Sequence, residues 1–223
     1  MAENAPSGGE FQRARSAEAK QQRESAILDA AVQLGTTQGI RSVTLTDIAD
    51  AVGLHKSALL RYFETREQIF LRLTAAGWRE WGPAVLTALE GARTPAAVAR
   101  AFAATLAERP LFCDLLAQAP LNLERNVSLE SVRAFKLVTL EQVQAIVGAL
   151  RHALPALSEA QAIDAVAAAT ALSGAYWQMA TPGAAIEELY RADPRLAHAV
   201  VDVEPRVERT LTAMFTGWTA GVA

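Results

Sequence analysis

The sequence predicts an all-α protein, and three observations carry that expectation. Apolar residues recur at helical spacing along most of the chain. Runs of β-branched residues alternating with polar ones are absent. Alanine dominates the apolar set, while aromatics are only 6% of the 223 residues. Hydrophobic residues at 51% and charged residues at 20% describe a globular chain. No apolar run approaches the roughly 18–20 residues that a membrane span needs. The first twenty residues have no apolar core of their own and are not expected to act as a secretory signal. A single cysteine, Cys113, excludes an intramolecular disulfide framework and fits a reducing, cytoplasmic location.

Residues 1–18 hold Pro6, Ser7, Gly8, Gly9 and scattered charges, and are expected to form a flexible arm carrying Arg13 and Arg15. A first helix is expected from about residue 19. Ile27, Ala31 and Leu34 fall at i, i+4 and i+7 on it, and Gly35 and Gly39 mark its end. Thr44 caps a second, short helix, with Asp47 three residues later in its first turn. Leu45, Ile48, Ala49 and Val52 form its apolar face before Gly53 breaks it. A third helix is expected over residues 55–63. Two short helices joined by a tight glycine-containing turn and packed on a preceding helix make a helix-turn-helix.

The remainder is expected to be helical throughout. A helix over residues 67–89 should kink or break at Gly82-Pro83. Thr94-Pro95 caps and opens the next, and Pro110 and Pro120 bracket a short one. Ser128 begins a long helix with Val132, Phe135, Val143, Ile146, Val147 and Leu150 on its apolar side. Ser158 caps a helix that Thr181-Pro182-Gly183 stops, and a broken stretch surrounds Pro194. A last helix carries Val207, Leu211, Met214, Phe215 and Trp218.

Catalytic signatures are missing: no GxSxG, GxGxxG, GxxxxGK or HExxH, and His55, His152 and His198 lack metal-ligand spacing. No enzyme activity, metal or cofactor is therefore expected. The informative stretch is LHKSALLRYF, residues 54–63. The chain as a whole has a net charge of −3, yet residues 54–66 carry Lys56, Arg61 and Arg66 against Glu64 alone. At about 100° per residue, Leu59 and Phe63 point inward together while Ser57 and Arg61 point away. Ala58 and Leu60 flank that outward face, and His55 and Lys56 occupy the first turn. The face is narrow enough for a major groove, about 12 Å wide. Arg61 can pair with guanine, and Ala58 or Leu60 can touch a thymine methyl. Lys56, Tyr62 and Arg66 are placed as phosphate anchors, which fix register without reading sequence. Thr44 offers a hydroxyl and nearby N–H groups to a phosphate, and Thr46 can reach a base edge. Periodicity alone leaves open a plain solvated face.

The stretch TLTDIADAVGLHKSALLRYFETREQIF resembles the DNA-binding signature of the TetR (tetracycline-repressor-like) family, T-x-x-x-I-A-x-x-A-G-V-S-x-x-x-L-Y-x-Y/H-F-x-x-K-E-x-L. Thr44, Ile48, Ala49, Ala51-Val52-Gly53, Leu59, Tyr62-Phe63, Glu67 and Ile69 match it. Arg66 stands where a lysine is usual, and Leu60 where a tyrosine that touches phosphate is usual. The resemblance implies a DNA-binding domain over residues 19–66 and a helical ligand-binding and dimerisation domain over 67–223. It further implies a homodimer on pseudo-palindromic double-stranded operator DNA, with recognition helices one turn, about 34 Å, apart. The function expected is that of a homodimeric repressor released by a small, mainly apolar effector. The alternatives are an effector-independent or activating regulator and, less in keeping with the missing catalytic residues, a helical-bundle enzyme or carrier.

Two stretches could form the dimer interface: the small-residue run 163–176 and the apolar stripe of the last helix. Both could equally face the protomer's own core. Candidate walls for a ligand pocket are Trp78, Trp81, Phe112, Cys113, Phe135, Tyr176 and Trp177.

Overall fold

The computed structural model describes residues 8–220, with side chains described over 17–196 and 199–220. It is built from ten α-helices with no strand among the described residues: α1 (Gly8–Gln38), α2 (Leu45–Ala51), α3 (Lys56–Leu59), α4 (Arg66–Ala88), α5 (Pro95–Ala107), α6 (Pro110–Gln118), α7 (Leu129–Ala153), α8 (Glu159–Ala180), α9 (Ala184–Ala192) and α10 (Val203–Thr219). A five-residue π-helical turn follows α6, and a 3-10 turn separates α9 from α10.

The first helix begins earlier than expected, at Gly8, so the stretch read as a flexible arm is helical from there on. Residues 1–7 and the side chains of Arg13 and Arg15 lie outside the described residues. The physical reason for the early start is composition: from Glu10 to Glu24 the chain holds no glycine, proline or β-branched residue and is rich in Ala, Glu, Gln, Arg and Lys. Gly35 does not end the helix. A Cβ there would sit 2.8 Å from Ile40 Cδ1 and 3.2 Å from Leu111 Cδ1, so the glycine lets α6 approach α1. Gly39, with φ +77°, makes the left-handed stop.

Helices α1–α3 and the start of α4 enclose a small core of Ile27, Ala31, Ile40, Val43, Ile48, Ala49, Leu59 and Phe63, each at most 1% exposed. Helix α4 then runs from this head into the larger body. It is not broken at Pro83. A proline leaves one carbonyl a turn earlier without its N–H donor, but Trp81 and Val85 on either side are both fully buried and hold the helix on course.

The body packs around aromatic rings. Trp78 meets Trp81 at 5.4 Å and Phe112 at 5.7 Å, edge to face. Trp81 meets Phe102 at 6.0 Å, and Phe102 meets Phe215 at 6.3 Å. Such pairs add to plain burial. Trp78, Trp81 and Phe112 are therefore core rather than ligand wall. Cys113 is core too: burial first, and the neighbouring Asp114 carboxylate second, push its thiol up to about 12. Of the candidate walls, Phe135 lines a cleft between α4 and α7, and Trp177 lines a second one beside the end of α1.

The apolar stripe of α10 also turns inward: Val207, Leu211 and Phe215 are buried in the protomer, against α5 and α8. In α8, Ala165, Val166, Ala169, Thr170, Ser173 and Gly174 face the core. The outward sides of both helices are the opposite ones, with Ala167, Ala171 and Ala175 on α8 and Thr210, Ala213 and Gly217 on α10 exposed.

Gly174 fixes how closely α8 lies on α6. An added Cβ would meet Ala117 N at 2.9 Å, with Ala117 Cα and Cys113 O at 3.2 Å, all backbone atoms that cannot swing aside. Gly174→Ala is expected to destabilise by about 1–3 kcal/mol. Gly148→Ala, on an exposed turn of α7 with nothing within 4 Å, is expected to be neutral or stabilising by up to about 1 kcal/mol. Urea midpoints of the two variants test this; equal midpoints would contradict the close α6–α8 approach.

Candidate nucleic-acid interface

Thr44 opens the helix-turn-helix. Its hydroxyl accepts the Asp47 N–H at 3.2 Å, and its own N–H donates to Asp47 Oδ2 at 2.7 Å, a complete capping box. That backbone N–H above all, then the Thr44 hydroxyl, holds the Asp47 carboxyl below its ordinary value. Thr44 and Thr46 are both exposed at this end of α2.

Helix α3 is shorter than expected, Lys56–Leu59, and residues 60–62 continue as turns. Arg61 N–H donates to Ala58 O at 3.2 Å and Tyr62 N–H to Leu59 O at 2.9 Å, the tighter three-residue spacing. The chain must wind down quickly here, because Phe63 is pulled to 1% exposure and Thr65 already caps α4. His55 is the N-cap of α3. Its Nδ1 accepts the Ser57 N–H at 3.3 Å and lies 2.9 Å from Ser57 Oγ. Accepting at Nδ1 leaves the ring proton on Nε2. His55 therefore has a local structural duty that its sequence position did not reveal.

Leu59 is fully buried, as the wheel predicts, while His55, Lys56, Ser57, Leu60 and Arg61 are exposed and Ala58 and Tyr62 half-buried. Leu60 keeps 45% of its surface in solvent, so it lies on the outward face rather than in the core. Residues 55–62 other than Leu59 thus form one acid-free outer surface over the buried pair of Leu59 and Phe63. The nearest acid after it in sequence, Glu64, is drawn away by contacts with the body.

Arg66 is the exception among the candidates. Its guanidinium donates to the carbonyls of Ile40 and Val43, pairs with Glu67 at 3.2 Å and lies 4.7 Å from the centre of the Phe70 ring. Its side chain is 19% exposed. The expected phosphate anchor is thus an internal brace of the loop leading into α2. Two unsatisfied carbonyls close to the start of α4 recruited it, a long-range demand that the motif does not display.

Two carboxylates that sequence reasoning passed over join the head to the body. Glu64, just after the recognition segment, accepts the Ser128 N–H, the Ser128 hydroxyl and the Ser131 hydroxyl, each at 2.9 Å, at the start of α7. Gln68 on α4 donates to Ser131 Oγ at 2.9 Å beside it. These contacts overlook a cleft of about 540 Å³ between α4 and α7, floored by Leu71, Phe135 and Val138. Asp114 on α6, 7% exposed, accepts the Ile40 N–H on Oδ2 and Gln178 Nε2 on Oδ1, both at 2.8 Å. Its signal in the sequence was a lone acid inside the apolar run PLFCDLLAQ.

The Ser128 backbone N–H above all holds the Glu64 carboxyl below its ordinary 4.5, against the opposing effect of burial and with smaller help from the Ser128 and Ser131 hydroxyls. The unfolded chain binds that proton more tightly than the folded one, so the contribution is complete above about pH 4.5 and is lost as pH falls through the lowered folded value. Wild type should exceed Glu64→Gln in urea midpoint at pH 7, and the gap should narrow as pH falls below about 4.5. A constant gap would mean the ionised carboxylate is not what binds Ser128.

A three-helix head with an exposed, acid-free recognition segment, carried on a helical body by one shared helix, is the build of a DNA-binding regulator. Two family profiles match the chain: "Bacterial regulatory proteins, tetR family" over residues 27–73 and "Tetracyclin repressor-like, C-terminal domain" over residues 75–221. The chain belongs to the tetracycline-repressor-like family of transcriptional regulators. Solved structures share the fold. One from Streptomyces coelicolor A3(2), described as a possible TetR family transcriptional regulator, is 18% identical with a TM-score of 0.58, and the match covers 89% of this chain and 99% of that one. The TetR-family regulator PfmR from Thermus thermophilus is 16% identical with a TM-score of 0.53, covering 88% of this chain and 98% of that one. No curated protein matches the sequence. Among the described residues no helix is long and apolar enough to cross a membrane.

Proposed function

We propose that the chain is a homodimeric, cytoplasmic repressor that reads a pseudo-palindromic operator and leaves it when a small effector binds the body. It performs no catalysis in this reading and needs no cofactor. The observation that supports it most is the acid-free outer surface of residues 55–62, set on the packed three-helix head. Arg61, exposed and outward with Ser57, is the base reader. Ala58 and Leu60 are apolar contacts to thymine methyls. Lys56, Tyr62 and Thr44 meet phosphates, Thr46 reaches a base edge, and His55 presents its Nε2–H outward while capping α3.

The dimer is assigned to the exposed small-residue sides of α8 and α10, since their apolar sides are used within the protomer. Flat faces of Ala, Thr and Gly let two helices from each copy close into a four-helix bundle. Light scattering at micromolar concentration tests this, and a monomer would refute it.

Binding to the chain's own promoter region, followed by anisotropy across a salt series, tests the DNA reading. Arg61→Ala should lower discrimination between operator and random DNA by about 1–3 kcal/mol. Lys56→Ala should weaken both alike and reduce the salt slope by about one. An unchanged specificity ratio in Arg61→Ala would reject it as the base reader. No salt-sensitive binding to any site would sink the regulator reading altogether.

A further inference from the structure

Helix α7 begins with a cap that its own residues leave incomplete. In a capping box the cap hydroxyl takes the N–H of the third helical residue, and that residue's side chain reaches back to the cap's own N–H. Helices α2 and α8 complete the box locally, with Thr44 and Asp47 and with Ser158 and Gln161. In α7 the Ser128 hydroxyl takes the Ser131 N–H at 3.2 Å. The Ser131 hydroxyl does not return the bond; it donates to Glu64 Oε1 at 2.9 Å. The Ser128 N–H also goes to Glu64 Oε1, at 2.9 Å, across 64 positions of the chain. The head thus supplies the group that the body's helix lacks.

Glu64 is fixed through its backbone as well as its side chain. Its Oε1 accepts the Ser128 hydroxyl at 2.9 Å, and its N–H donates to Gln68 Oε1 at 2.7 Å. Gln68 Nε2 in turn donates to Ser131 Oγ at 2.9 Å, which closes a ring of four residues. A carboxylate is also favoured at this end of a helix by the positive dipole. Directly before Glu64 lies Phe63, 1% exposed, which with Leu59 anchors the recognition segment in the head. One peptide bond therefore separates the buried base of that segment from the contact with α7. A second contact, from Asp114 on α6 to the Ile40 N–H, holds a different part of the head. With both in place the head is not free to turn about α4.

We propose that Glu64 is a positioning residue for DNA recognition. By completing the cap of α7 from the head, it fixes the angle of residues 55–62 to the body. Its release lowers operator affinity without removing any group that meets DNA. This rests on the reading that residues 55–62 meet DNA. The effect falls on base reading, which needs the segment at one depth and angle in the groove. Contacts to phosphate carry no sequence information and tolerate a looser head.

The test uses the full chain and the variant Ser131→Gln. It copies the Ser158 and Gln161 box of α8, so the new side chain takes the Ser128 N–H and displaces Glu64 with no change of charge. Glu64→Ala removes the contact from the other side. Head–body distances are read by double electron–electron resonance between nitroxide labels at Asp50→Cys on α2 and Leu140→Cys on α7, both exposed. Cys113 is buried and stays in place. Labelled chain is diluted with unlabelled chain, so that only the pair within one chain is read. The unmodified latch should give a narrow distribution, and both variants should at least double its width. Ser131→Gln should keep the urea midpoint of wild type, since a local box replaces the distant one. Its operator affinity should nevertheless fall roughly fivefold or more, while its affinity for random DNA stays within about twofold.

An unchanged, narrow distribution in Ser131→Gln overturns the latch. A broadened distribution with operator affinity unchanged overturns the positioning role, as does an equal loss on operator and random DNA. No salt-sensitive binding to any DNA would defeat the DNA reading of residues 55–62, whereas the distances decide the latch by themselves.

Discussion

Trp81→Ala is expected to destabilise the protein by about 3–5 kcal/mol, the range for removing a buried aromatic ring. Trp81 is fully buried in the middle of α4. Its ring is enclosed by Trp78, Phe102 and Phe112 at centroid distances of 5.4, 6.0 and 6.0 Å. Its Nε1–H donates to Thr105 Oγ1 at 3.0 Å, tying α4 to α5. Truncation opens a cavity that three large rings cannot close without leaving their rotamers. The polar loss is minor, because the Thr105 hydroxyl still donates to Ala101 O at 2.7 Å. Trp81→Phe, which keeps most of the volume, is therefore expected to cost about 1–2 kcal/mol. For a chain of this length each kcal/mol moves Tm by about 2–4 °C, so the alanine variant should melt on the order of 10 °C lower. Differential scanning calorimetry of the two variants decides it. If alanine and phenylalanine cost the same, the cluster is not the packed centre of the body.

What the sequence showed, and what it hid, divides by range. Thr44, Thr94, Ser128 and Ser158 are legible as helix starts because a cap and the N–H it serves lie within three residues of each other. The inward Leu59 and outward Ser57 are legible because one short helix fixes both faces, and Arg61 stays outward through the turns that continue it. The start of α1 was hidden because Gly8 and Gly9 read as a break while the strong helix formers after them outweigh it. The role of His55 was hidden because a ring nitrogen can replace a hydroxyl as a cap, and nothing nearby announces the exchange. Asp114 and Glu64 were hidden for a different reason. Their partners Ile40 and Ser128 lie 74 and 64 residues away, and no local pattern encodes a pairing of that reach. The stripe of α10 was legible as buried but not as to whose core buries it. Periodicity reports that a face is apolar and is silent on what covers it.

Arg66→Ala separates the motif's expectation from the structure's. As a phosphate anchor, Arg66 would contribute to DNA binding through charge alone, and its loss would lower the salt slope by about one with the fold intact. As placed, it serves the fold. Its guanidinium satisfies the carbonyls of Ile40 and Val43 at once, on either side of the turn into α2, and packs on Phe70. Hydrogen bonds from a charged group contribute about 1.5–3 kcal/mol each, and a part-buried acceptor left without its donor bears the cost of its own desolvation. Glu67 would lose its partner too. The expected result is a loss of about 2–4 kcal/mol in urea denaturation, with the salt slope of the folded variant unchanged. Arg66→Lys should not rescue it, because a single ammonium lacks the planar fork that spans two carbonyls. Operator affinity should fall in both variants, since the segment from Ile40 to Thr44 sets the angle of α2 and hence of α3. Unaltered stability together with a salt slope reduced by about one would return Arg66 to the phosphate backbone and leave the brace without support.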